Sequence, residues 1–236
     1  MTARDLFAAG KLNEAIEALG SELREHPTDT QRRSFFFELL CFAGLWDRAD
    51  KQLDILAGND QAKRMGALMY RGALAAERTR QEMFASGQLP EVPAQTGIPS
   101  VLNGKVVASL EDADPRIGPR LEVIAGADYM WIPFANIQEI KIEQPKKLRD
   151  LIWLPAHLRT RSAEQADLGD VLLPVLTPQA CENSDDLVRL GRLTIWSELE
   201  SGEVIPQGQK LWLADGEEVP LLDVRSLTTG QSAAAN

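Results

Sequence analysis

The densest group of chemically capable side chains is Glu111-Asp112-Ala113-Asp114-Pro115-Arg116, directly ahead of Ile117-Gly118-Pro119-Arg120. Carboxylates gathered on one turn can hold Mg²⁺ through oxygens or orient a nucleophile. Asp-Pro and Gly-Pro equally build a rigid turn whose acids pair with Arg116 and Arg120, and with no base or nucleophile beside them the turn reading is favoured. A second polar run, Pro145-Lys146-Lys147-Leu148-Arg149-Asp150, either docks an acidic partner segment or begins a solvated strand. His26 stands in the turn before Pro27, and His157 has no acidic or Cys partner at ligand spacing, so both are assigned structural or solvent roles. Cys41 and Cys181 suggest neither a disulfide framework nor a zinc site. The chain has no phosphate-binding Gly-Lys-Ser/Thr loop, no dinucleotide glycine fingerprint and no Gly-x-Ser-x-Gly elbow. No catalytic residue, cofactor or metal is therefore expected.

The elements that would position these groups fall into two parts. The chain has 236 residues, enough for one large domain or two small ones. Hydrophobic residues make up 44% and charged residues 25%, which excludes disordered, collagenous and coiled-coil classes. No window suits a membrane span and no signal-like stretch opens the chain, so a reducing cytoplasm is expected. The formal charge of −10 is unevenly placed: residues 1–90 hold 12 basic and 13 acidic side chains, residues 91–236 hold 13 and 22. An acidic second half repels nucleic-acid backbones and anionic membranes, and neither is expected as a partner.

Residues 2–25 carry the pattern of two short helices broken at Gly10-Lys11, the second ended by Pro27. Ala9-Gly10-Lys11-Leu12-Asn13-Glu14-Ala15 aligns with Ala43-Gly44-Leu45-Trp46-Asp47-Arg48-Ala49 at an offset of 34, and Leu19 falls opposite Leu53. That is the tetratricopeptide period: Gly turns the corner between antiparallel helices, a large apolar residue plugs it, and Ala lets the helices approach. A helix capped by Thr28-Asp29 runs through Phe35, Phe36, Phe37, Leu39, Leu40 and Phe42, and one long helix from Gln61 to Ser86 closes the stack. In such arrays the first helix of each pair lines the concave side. The register then turns Arg4 and Phe7 from the first unit, with Gln31, Ser34, Glu38 and Phe42 from the second, toward a bound segment.

The proline- and glycine-rich stretch 87–100 is a linker. Beyond it, short apolar runs bounded by turn residues predict strands at Val106–Leu110, Pro119–Ala125, Tyr129–Pro133, Ile137–Ile142, Asp150–Leu154, Val171–Val175, Leu193–Ser197, Lys210–Leu213 and Leu221–Val224. A short helix is expected around Asp185–Leu190. The expected fold is α+β: a tetratricopeptide-like helical domain over 1–86 that forms its own core, a linker over 87–100, and a β-rich, mainly antiparallel α+β domain over 101–236.

Leu121-Glu122-Val123-Ile124, Tyr129-Met130-Trp131-Ile132-Pro133-Phe134, Leu148 through Ala156 and Leu190-Gly191-Arg192-Leu193-Thr194-Ile195-Trp196, in this order behind a short helical repeat, resemble the ImpE/SciE-type family, also called TagJ. The resemblance implies a cytoplasmic accessory protein of the bacterial type VI secretion system. It further implies binding to an N-terminal helical segment of the small contractile-sheath subunit and a link to the ClpV-type ATPase that dismantles contracted sheaths. The family carries no catalytic residues to transfer. A metal-dependent or small-molecule enzyme using Asp112 and Asp114 with Arg116 or Arg120, and a general tetratricopeptide co-chaperone, stand as alternatives.

Overall fold

A computed structural model describes residues 1–58, 60–91, 96–161 and 167–230. The N-terminal part is helical throughout: α1 (Ala3–Ala8), α2 (Leu12–Glu25), α3 (Thr30–Phe42), α4 (Trp46–Ala57) and α5 (Gln61–Ser86). Each start has a local cause. The Thr2 hydroxyl accepts from the Asp5 N–H while the Asp5 carboxylate accepts from the Thr2 N–H, and Asp29 and Asp60 cap α3 and α5. In α2 the apolar residues Leu12, Ala15, Ile16, Leu19 and Leu23 form one buried stripe. By contrast, every residue of α3 from Phe35 to Phe42 is buried, so this helix is the centre of the array.

The two corners related by 34 positions are built alike. Gly10 has φ +78° and Gly44 φ +69°, the left-handed region that a Cβ disfavours. At each, the next N–H reaches back across the turn, from Lys11 to the Leu6 carbonyl at 3.0 Å and from Leu45 to the Leu40 carbonyl at 2.9 Å. Ala15 and Ala49, five positions past each glycine, are fully buried between helices.

The second part contains β1 (Ser100–Leu102), β2 (Lys105–Val107), β3 (Leu110–Asp112), β4 (Arg120–Ala125), β5 (Asp128–Pro133), β6 (Ile137–Ile142), β7 (Trp153–Thr160) and β8 (Asp167–Pro174). It continues with α6 (Asp186–Arg189), β9 (Ile195–Glu198), β10 (Val204–Gln207), β11 (Leu211–Ala214), β12 (Glu217–Pro220) and β13 (Ser226–Thr229). Eight strands form one sheet in the order β2-β1-β13-β6-β7-β8-β4-β5, beside a β12-β11-β3 sheet and a β10-β9 ribbon, with antiparallel pairing between neighbours. The fold is therefore α+β, helices followed by an antiparallel β-rich part.

Three expected strands differ. Val106–Leu110 is split into β2 and β3, because the Asp215 carboxylate accepts from the Ala108 and Ser109 N–H groups at 2.8 Å each and withdraws both from strand pairing. Residues Leu148–Leu151 form a 3₁₀ turn rather than the start of a strand, held by the Asp150 carboxylate accepting from the N–H groups of Lys146 and Lys147 at 2.8 and 2.9 Å. Leu221–Asp223 is a second such turn, and the strand lies later, at Ser226–Thr229, between β1 and β6.

The core expected of residues 1–86 alone is shared. Ile124, Ile152, Trp153, Leu176, Ala180 and Leu190 are buried in one cluster with the helical residues. Trp153 meets Phe37 and Tyr70 at ring-centroid distances of 6.4 and 6.1 Å. A second cluster, centred on Leu154, Leu158, Leu173, Trp212 and Leu227, fills the strand part.

Candidate partner-binding site

Phe7 of α1 reaches Phe35 and Phe42 of α3, and Arg4, Phe7, Gln31, Ser34 and Glu38 from the two helices line one open cleft of about 650 Å³. Its floor is aromatic: Phe7 meets Phe35 edge-on at 5.5 Å, and the Arg4 guanidinium lies 5.1 Å above the Phe35 ring. The opposite wall comes from the strand part. Asp150 folds the 3₁₀ turn so that Lys147, Leu148 and Arg149 face the helices. Arg149 Nε donates to Glu38 Oε1 at 3.1 Å and its guanidinium stacks 5.0 Å from the Tyr70 ring. Burial pushes the Glu38 carboxyl above its ordinary range, against the pull of Arg149.

Phe42 is not part of the cleft. It is 1% exposed, packed 6.5 Å from Phe7 behind the floor, because the C-terminal half of α3 is covered on all sides. Phe7 is itself held from behind, with the Arg192 guanidinium 4.6 Å from its ring. Sequence periodicity alone did not point to Phe35 or the Lys147–Arg149 wall. The wall's signal was the basic run itself, whose placement depends on a tertiary contact.

The acidic turn has a different fate. Asp112 and Asp114 are 3% and 0% exposed, out of reach of a ligand. Asp114 pairs with Arg116 at 2.6 Å, as the turn reading expects, whereas Asp112 pairs with Lys210 at 2.5 Å. Lys210 also donates to Glu122 at 2.5 Å. Glu122 takes two further bonds from Arg80 of α5, at 2.7 and 3.0 Å, and one from the Tyr129 hydroxyl. Arg80 also donates to the Leu176 carbonyl at 2.9 Å and, more weakly, to Glu77 at 3.4 Å. These groups weld the long helix to the sheet. Burial raises the Asp112 carboxyl to about 6, with Lys210 opposing and Glu122 reinforcing the shift. Glu122 is also desolvated, but Arg80 and Lys210 hold it far below the usual carboxylate range.

His26 is exposed at the end of α2, and His157, also exposed, lies 3.1 Å from Asp170. Cys41 is buried and Cys181 half-buried. Burial raises both thiols, that of Cys181 to about 11, so neither supplies a ready thiolate. Among the described residues no group of three or more His, Cys, Asp or Glu could hold a metal ion, and no helix is long and apolar enough to cross a membrane.

A helical array joined through one core to an antiparallel sheet, with an open cleft of mixed polarity along the seam, defines an α+β protein of two interlocked halves. A crystal structure of protein VPA1032 from Vibrio parahaemolyticus shares this fold, with a TM-score of 0.84 over 98% of both chains at 22% identity. The type VI secretion system accessory component TagJ of Pseudomonas aeruginosa is 33% identical over 96% of this chain and 90% of its own length. The family model for ImpE protein matches residues 104–228, more than half of the chain. The chain belongs to the ImpE family.

Proposed function

We propose that this protein is a non-enzymatic accessory component of a type VI secretion system that works in the cytoplasm. Its helical half acts as a short tetratricopeptide-like array, and its cleft holds an N-terminal helical segment of the small sheath subunit. Through that contact it is linked to sheath disassembly by the ClpV-type ATPase. The observation that carries the reading is the cleft: Arg4, Phe7, Gln31, Ser34 and Glu38, which the repeat register assigns to a concave face, open onto one cavity with an aromatic floor. An aromatic floor with polar sides suits an amphipathic helix, whose apolar stripe covers the rings while its polar face meets the rim. The relationship to TagJ supplies the secretion context.

Titration of the full chain with a peptide spanning the sheath subunit's N-terminal helix tests this. Ser34→Tyr fills the cleft with a neutral ring at a half-buried position, and it is expected to weaken binding at least about tenfold with the melting temperature unchanged. No binding to the unaltered protein, or full binding by a folded Ser34→Tyr variant, rejects the reading.

A further inference from the structure

We propose that the cleft selects an acidic amphipathic segment, gripped between cations from both halves of this chain; the inference rests on reading the cleft as the site of a partner segment. The one carboxylate in its lining, Glu38, is already engaged by Arg149 at 3.1 Å. Two other cations line the cleft from opposite sides, Arg4 from α1 and Lys147 from the 3₁₀ turn, and both are exposed. Arg4 stacks on Phe35, and among the described residues neither Arg4 nor Lys147 has a carboxylate within ion-pair distance. Among the described residues the lining thus sets three cations, Arg4, Lys147 and Arg149, against the single carboxylate Glu38, whose field Arg4 and Arg149 share, above an apolar floor on a molecule whose formal charge is −10.

That contrast defines the occupant. The molecule as a whole repels an acidic chain, and the cleft is where attraction and apolar burial coincide. A small anion would leave the aromatic floor uncovered. A basic helix would set its charges against Arg4 and Lys147. An amphipathic helix with Asp or Glu beside its apolar stripe satisfies both the floor and the two rims, and because Lys147 belongs to the strand part, the grip requires both halves together.

The test uses two synthetic helices of about 18 residues, five turns, with identical Leu faces and either Glu or Lys on the polar face. Fluorescence anisotropy against the full chain is read at about 50 and 300 mM salt. The Glu peptide is expected to bind at least about tenfold tighter than the Lys peptide, with the gap narrowing at high salt. Arg4→Glu with Lys147→Glu is expected to invert the preference, and Arg4→Gln with Lys147→Gln to abolish it. Equal binding of the two peptides, binding of neither, or a preference untouched by folded double variants overturns the inference. The sheath-subunit peptide separates this outcome from the proposed function. If it binds and is blocked by Ser34→Tyr, but binds equally well with its Asp and Glu changed to Asn and Gln, the acidic selectivity fails while the function stands. If only the Glu helix binds, the selectivity stands and the sheath assignment fails.

Discussion

Lys210 is 1% exposed and lies 2.5 Å from carboxylates on two different elements, Asp112 and Glu122. With Arg80 and Glu77 the buried set is two cations and three carboxylates, so one acid carries surplus negative charge. Asp112 is that acid. It is raised from 3.8 to about 6, whereas Glu122, bonded by both cations, is driven down. The two have opposite signs in stability. A depressed carboxylate such as Glu122 stabilises the fold above its unfolded value and loses that contribution as pH falls through its folded pKa. Asp112 holds its proton more tightly folded than unfolded, so its contribution declines as pH rises from about 4 to 6. Asp112→Asn removes that titration while keeping the shape. Urea unfolding at pH 4, 5, 6 and 7 should show the variant gaining on the unaltered protein across this window, by up to about 3 kcal/mol for a shift of roughly 2 units. A constant difference across the series would show that Asp112 is not the titrating acid.

The helical corners show how far element-level reading reaches. The 34-residue spacing located Gly10 and Gly44, and both have the positive φ that such a corner demands. Spacing could not show what stands beyond the corner. A Cβ on Gly44 would meet Cys181 Sγ at 2.8 Å, and one on Gly10 would meet Leu187 Cδ2 at 2.5 Å, both side chains of the strand part. Gly44→Val therefore combines a strained backbone with a clash against a half-buried thiol, and about 1–3 kcal/mol of stability should be lost. A denaturation midpoint unchanged by Gly44→Val would contradict this account. The strands divide in the same way. Ile137–Ile142 was legible as a short apolar run, since Ile140 and Ile142 keep the strand period and Ile137, beyond a register shift, joins them in the second core cluster. Leu148–Leu151 and Leu221–Asp223 were not, since apolar residues beside a carboxylate cap or a proline read as strand in one dimension. Five cleft residues were legible through the repeat register, but Phe42 was misplaced because the burial of the C-terminal half of α3 on all sides is a property of the whole array. The Lys147–Arg149 wall depends on a fold-back that local pattern does not encode.

Over the whole molecule, the proline-rich linker reads as a boundary in sequence, yet the contacts across it are those of one domain. Trp153 of the strand part sits at 1% exposure against Phe37 and Tyr70, donating to Glu77 at 3.3 Å, while Arg80 ends on Glu122 and on the Leu176 carbonyl. Separating the halves would take both Arg80 hydrogen bonds from Glu122, leaving Lys210 as the one cation against the buried Glu122 and Asp112, and would strip Phe37 and Tyr70 from Trp153. Neither half then has a low-energy state of its own at the seam, and unfolding of one withdraws support from the other. The chain should lose helix and tertiary structure in one transition: far-ultraviolet circular dichroism, dominated by α2, α3 and α5, and tryptophan fluorescence, dominated by the strand part, are expected to give coincident midpoints in urea. Arg80→Gln, which leaves Lys210 as the one cation bonded to Glu122 beside the Tyr129 hydroxyl, should move both midpoints down together by about 3–5 kcal/mol of stability. Separate midpoints, or a variant that shifts only one probe, would show two independently stable halves and return the linker to the role its sequence suggests.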